Sequence, residues 1–117
     1  MTTAREAFEA KKLEQKYGVV GKVAARYRRA GYQVRVESTD EDSPLHFTAA
    51  KTGSKLAVKV YWKTGRVPVE ALEAVAGEAS KRGFKPILVL YGAGPKVSGE
   101  VLEKAKSLGV SIRRVRV

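Results

Sequence analysis

Four groups of residues carry the side chains with which this chain could do chemistry. Lys59 sits inside Lys55-Leu56-Ala57-Val58-Lys59-Val60-Tyr61-Trp62-Lys63, where Leu56, Val58, Val60 and Trp62 alternate with Ala57, Lys59 and Tyr61. That alternation, rich in β-branched and aromatic residues, predicts a buried strand. An ammonium buried without a partner costs several kcal/mol, so Lys59 must reach the rim or serve a site. Asp40, Glu41 and Asp42 lie together in the polar stretch 38–44 and offer oxygen ligands for a metal, although neighbouring carboxylates repel each other and commonly just solvate a loop. His46 is the sole histidine and the chain has no cysteine. Disulfides, zinc-thiolate sites and thiol nucleophiles are therefore excluded. A single imidazole builds neither a zinc cluster nor a Ser/His/Asp-type centre without distant acids, so His46 is read as an ordinary strand residue. The fourth group is Gly92-Ala93-Gly94 ahead of Ser98. A glycine loop opening a helix can cradle an anion on backbone N–H groups, but the dinucleotide fingerprint is incomplete here.

The elements that must position these groups follow from periodicity. Thr3-Ala4-Arg5-Glu6 has the form of a capping box and starts a helix. Phe8, Ala10 and Leu13 give it only a thin apolar stripe, so residues 1–17 are expected to pack loosely. After Gly18 the pattern strengthens through Val19, Val20, Val23, Ala24 and Tyr27, with Gly31 as the cap. Tyr32–Glu37, Leu45–Lys51 and Lys55–Lys63 read as three strands, the last two joined as a hairpin through Thr52-Gly53-Ser54. Pro68 falls at a first helical position, Val69, Leu72, Val75, Ala76 and Ala79 share one face, and Gly83 ends that helix. Phe84–Tyr91 is nearly all apolar and predicts a parallel strand covered on both faces. Val101, Leu102, Ala105 and Leu108 form a last helix capped by Gly109, and 110–117 is a strand carrying Arg113, Arg114 and Arg116. The expected order is α-β-β-β-α-β-α-β in one α/β domain spanning 1–117, a mixed sheet flanked by helices.

Lys and Arg number 23 against 12 Asp and Glu, so the net charge is 23 − 12 = +11. Such an excess favours polyanions and makes their binding salt-dependent, which puts nucleic acid first among partners. No helix pairs a broad apolar face with a purely basic one, so a membrane surface is a poorer match. The absence of Asn and Cys, with abundant Lys, Arg and Glu, is a thermophile's composition. No apolar run reaches the length of a membrane span and the N-terminus does not read as a signal peptide; a soluble, cytoplasmic protein is expected.

From about Val19 onward the chain resembles the restriction-endonuclease-like (PD-(D/E)xK) superfamily, in its archaeal Holliday-junction-resolvase and Mrr-like branches. Ala-Gly-Tyr-Gln-Val before the first strand, Leu56-Ala57-Val58-Lys59, the helix after Pro68, Phe84-Lys85-Pro86-Ile87-Leu88-Val89-Leu90 and the Gly94 to Gly109 tail carry the likeness. In that family an Asp at the entry of the second strand and an acid two residues before the lysine hold Mg²⁺, and the lysine helps activate water. Lys59 matches the lysine, but Ala57 stands at the acid, Leu45 and His46 occupy the strand entry, and no acid lies near Val20 to Lys22. The resemblance thus implies a nuclease centre that has decayed on a fold kept for nucleic-acid binding, with DNA as the expected partner. Lys59 would neutralise a phosphate with help from Lys22, Arg26, Arg29, Lys51, Lys55, Lys63 and Arg66, and Tyr61 would stack on a base. Trp62 is assigned to the core. No cofactor is expected.

Two alternatives stay open. One is an active Mg²⁺-dependent nuclease using Asp42, Glu70 and Lys59; the other is a phosphate- or nucleotide-binding module at the 92–98 loop. A homodimer is also an expectation, since the fold often acts on two strands and the last strand offers an edge. With no recognition helix, contacts are expected to follow the backbone rather than the bases.

Overall fold

Alternating apolar residues and helical spacing generate ten elements in the computed structural model, which describes residues 4–116. They are α1 (Ala4–Arg29), β1 (Gln33–Val36), β2 (Phe47–Lys51), β3 (Ser54–Tyr61), β4 (Gly65–Arg66), α2 (Val69–Arg82), β5 (Lys85–Tyr91), β6 (Pro95–Lys96), α3 (Gly99–Leu108) and β7 (Ser111–Val115). The five longer strands form one sheet in the order β1-β2-β3-β5-β7. β1, β2 and β3 pair antiparallel, while β3, β5 and β7 pair parallel. The protein is therefore mixed α/β, a mixed sheet flanked by helices. The short strands β4 and β6 are additions that periodicity did not foresee. They pair parallel with each other and join the chain leaving β3 to the chain leaving β5.

Each face of the sheet buries its own core. Leu56, Val58 and Val60 of β3, with Ile87 and Val89 of β5, pack under α1 against Val20, Val23 and Ala24. Leu88 and Leu90 point the other way, toward Leu72 and Val75 of α2 and Val101 and Ala105 of α3. Covering on both faces is why β5 is apolar at every central position. Pro68 serves as the N-cap of α2 rather than its first residue, with an extended backbone and no side-chain cap. Ser98 caps α3 by accepting from the Val101 N–H.

The first helix departs most from expectation. At Gly18 the backbone takes φ 59°, ψ −132°, a region open to glycine, and α1 becomes two helical halves across a kink. The halves cross so closely that a Cβ on Gly21 would lie 2.0 Å from the Leu13 carbonyl oxygen. Ala10 is fully buried, and Arg28, only 7 % exposed, bonds the Glu9 carboxylate at 2.7 Å and approaches Glu6 at 3.9 Å. Arg28, then Arg5, hold the Glu9 carboxyl below its ordinary range. Arg29 meets Glu14 at 3.0 Å. Residues 4–17 are thus tied down by charge across the kink. Thr3 of the expected capping box lies outside the described residues. Among these, no helix is long and apolar enough to cross a membrane.

Candidate functional site

Three of the four groups singled out by residue type converge on one assembly. Lys59 is on β3, on the face toward α2 and α3, and is 4 % exposed. Its ammonium donates to the Ser43 carbonyl and, at 3.4 Å, to the Glu41 carbonyl. The polar loop 38–44 therefore lies over the lysine and supplies the partners its burial requires. Desolvation lowers the Lys59 pKa, opposed first by the charge of Asp42. His46, fully buried, extends the β2–β3 ladder through its N–H to the Val58 carbonyl. Its ring accepts the Val60 N–H at Nδ1 (2.9 Å) and meets the Asp40 carbonyl at Nε2 (2.7 Å). A backbone N–H only donates and a carbonyl only accepts, so the ring is neutral with its proton on Nε2. Burial pulls its pKa down to about 4.

The loop also holds itself. Asp42 N–H bonds Asp40 Oδ1, Asp40 N–H bonds Ser38 Oγ, and Ser43 N–H bonds the Asp40 carbonyl. Outside, Lys63 clamps Asp42 at 3.0 Å and Glu41 at 3.5 Å. Together Lys59, His46 and Lys63 act as a latch on the loop. Its buried imidazole is neutral and bonded through both ring nitrogens, and its lysine is bonded to two loop carbonyls.

The carboxylates do not fit the Mg²⁺ that the family resemblance implies. Asp42 is paired with Lys63, Glu70 is exposed on α2, Glu73 faces Lys104 at 4.0 Å, and Ala57 is fully buried where a ligand is needed. Among the described residues no three His, Asp or Glu side chains are grouped to hold a metal.

The remaining site residues scatter. Lys22 and Arg26 are exposed on α1, whereas Arg29 is paired to Glu14. Lys51 lies 4.3 Å above the Tyr32 ring and Lys55 6.0 Å above the Phe84 ring, both at the hairpin end of the sheet. Arg66 is exposed on β4. Tyr61 packs partly buried against the α2–α3 core, and Trp62 packs against the α1-side core beside His46. Lys59 and Lys63 are near one end of β3 and Lys51 and Lys55 near the other, so the set does not form one patch.

The glycine loop has a packing role. A Cβ on Gly94 would sit 2.9 Å from Thr64 Oγ1 and 3.3 Å from its Cα, so glycine permits the close approach of the β4 and β6 segments. The loop presents carbonyls to the neighbouring strand β7: those of Gly92 and Pro95 accept from the Arg114 guanidinium. Sequence reasoning noted Arg113, Arg114 and Arg116 but gave them no part in the site.

The fold and the latch define a mixed α/β protein with a lysine buried at the centre of its sheet. The described structure aligns with SfsA from Pyrococcus furiosus, solved in complex with Ca²⁺, at a TM-score of 0.54 and 16 % identity over 89 % of this chain and 56 % of SfsA. It also aligns with AF1548, a protein of unknown function, at a TM-score of 0.52 and 11 % identity over 94 % of this chain and 56 % of that one. The chain spans just over half the length of either, and at these identities the likeness concerns the fold. No protein-family model matches the sequence. No curated protein matches it either.

Proposed function

We propose that this chain is a nucleic-acid-binding module, directed to the sugar-phosphate backbone, on a restriction-endonuclease-like fold without a working metal centre. The observation that carries it is the charge excess of +11 together with where the acids go. Glu6, Glu9 and Glu14 are engaged by Arg28 and Arg29, Glu37 by Arg82, and Glu41 and Asp42 by Lys63, so the field left outside is strongly positive. Such a field binds phosphates by counterion release and carries no base preference. Lys59 is read as an internal strut holding the 38–44 loop.

The test is a gel-shift series with labelled single-stranded, duplex and four-way-junction DNA at low and high salt with Mg²⁺, followed by a denaturing gel. The expected result is a shift at low salt that fades at high salt, with every strand intact. No shift at low salt overturns the proposal, and cut strands replace it with the nuclease alternative. In the same assay Lys59→Met should leave affinity within about twofold of wild type, because a covered amine neutralises no phosphate and releases no counterion. Lys59→Ala should instead cost about 2 kcal/mol of stability in urea titrations, from the lost aliphatic stem and the unpaired carbonyls. A large loss of affinity in Lys59→Met would return the lysine to the binding surface.

A further inference from the structure

We propose that the phosphates are held along β7, the open edge of the sheet beside the end of α1. The inference rests on the nucleic-acid reading above and gives it a location. Three depressions adjoin there. One lies among Gly92, Lys96, Arg114 and Arg116; the next shares Arg114 and adds Arg26 and Arg113; the third shares Arg113 and reaches Lys85. Six cations line this continuous strip, and among the described residues no Asp or Glu lines any part of it. Nor does any of the six pair with an acid within 4.0 Å among the described residues, in contrast to Arg28, Arg29, Lys63 and Arg82.

Geometry favours a polyanion here over other occupants. β7 is the last strand of the order β1-β2-β3-β5-β7, so among the described residues one side of it has no neighbouring strand. Arg113 and Arg114 project to opposite faces, because successive strand residues alternate, and the edge is positive on both sides. A second copy of the chain pairing at that edge would bring like charges together, which is a common way for sheet edges to refuse partners. A strand of phosphates meets the opposite condition. Arg114 is already fixed by the carbonyls of Gly92 and Pro95, and a guanidinium has five N–H donors and keeps its charge. Its orientation is therefore set before a phosphate arrives. The five residues of β7 extend about 17 Å, enough to follow several consecutive phosphates of one strand.

The test compares two triple variants of equal charge, each at 11 − 3 = +8. The first, Lys96→Gln/Arg113→Gln/Arg116→Gln, strips the edge but spares Arg114, whose bonds hold the glycine loop. The second, Lys11→Gln/Lys81→Gln/Lys106→Gln, removes exposed cations elsewhere. Fluorescence anisotropy with labelled single-stranded and duplex DNA is followed between about 50 and about 200 mM KCl, with thermal melts confirming that both variants fold. The edge variant is expected to bind about tenfold or more weakly at low salt, with the slope of log affinity against log salt shallower by roughly 2 to 3, one step for each phosphate that is no longer neutralised. The second variant should keep the wild-type slope. Equal weakening of the two, while wild type binds, overturns the location and leaves the nucleic-acid reading standing. Failure of wild type to bind at low salt removes that reading itself.

Discussion

Lowering the pH from 6.5 to 4 is expected to remove about 3 kcal/mol of folding stability through His46. The imidazole has an ordinary pKa of 6.5 when the chain is unfolded and about 4 when folded. Between these values the unfolded chain binds a proton that the folded chain refuses, so stability rises with pH across the window and is lost as pH falls through it. The cause is local. A second ring proton would have to sit on Nδ1, against the Val60 N–H, inside a fully buried site. Paired carboxylates act lower down. The carboxyls of Glu9 and Glu37 are held below their ordinary 4.5 by arginines, so their contributions fade only as pH drops below that value. Urea unfolding of wild type and His46→Gln at steps from pH 7 to pH 4 separates the two effects. The variant should be less stable at pH 7, because its amide replaces two ring bonds imperfectly, yet nearly flat between 6.5 and 4.5. An equally steep fall in both proteins would mean that other groups drive acid unfolding.

That His46 anchors a loop was not visible in the chain itself, and the reason is distance along the sequence. Asp40, His46, Lys59 and Lys63 meet only because β2 turns back along β3 and lays the 38–44 loop over its far end. Local pattern did reveal the hairpin, the apolar β5, the helix face of α2 and most of that of α3, where Leu102 stands exposed instead, since each depends on residues a few positions apart. The central strand was legible for the same reason, down to the oddity of a lysine inside it. What the lysine bonds to was not, because its partners are backbone carbonyls, which leave no trace in residue identity. The β7 strip was half legible. Its arginines were plain, but that β7 is an edge follows from strand order, which no periodicity encodes. The Arg28 network likewise pairs residues about 20 positions apart across the Gly18 kink.

That kink supplies the second large expected effect. Gly21→Ala should destabilise the protein by about 3 kcal/mol, the upper part of the range for overpacking, because the added methyl meets backbone and not a movable side chain. At 2.0 Å from the Leu13 carbonyl oxygen and 2.8 Å from its carbon, the Cβ forces the two halves of α1 apart. Alanine ordinarily favours a helix over glycine by up to about 1 kcal/mol, so propensity alone gives the opposite sign. Separation would also loosen Arg28 from Glu9 and Glu6, leaving a nearly buried guanidinium short of partners. The signature is therefore double: a lower melting temperature and early tryptic cleavage at Lys11, Lys12 and Lys16, which lie on the displaced half. Gly77→Ala is the matched control, since its Cβ meets nothing within 4 Å on α2. It should stabilise slightly, as helix propensity predicts. If Gly21→Ala behaved like Gly77→Ala, the close crossing of the two halves would be wrong, and residues 4–17 would be as loosely held as their thin apolar stripe suggests.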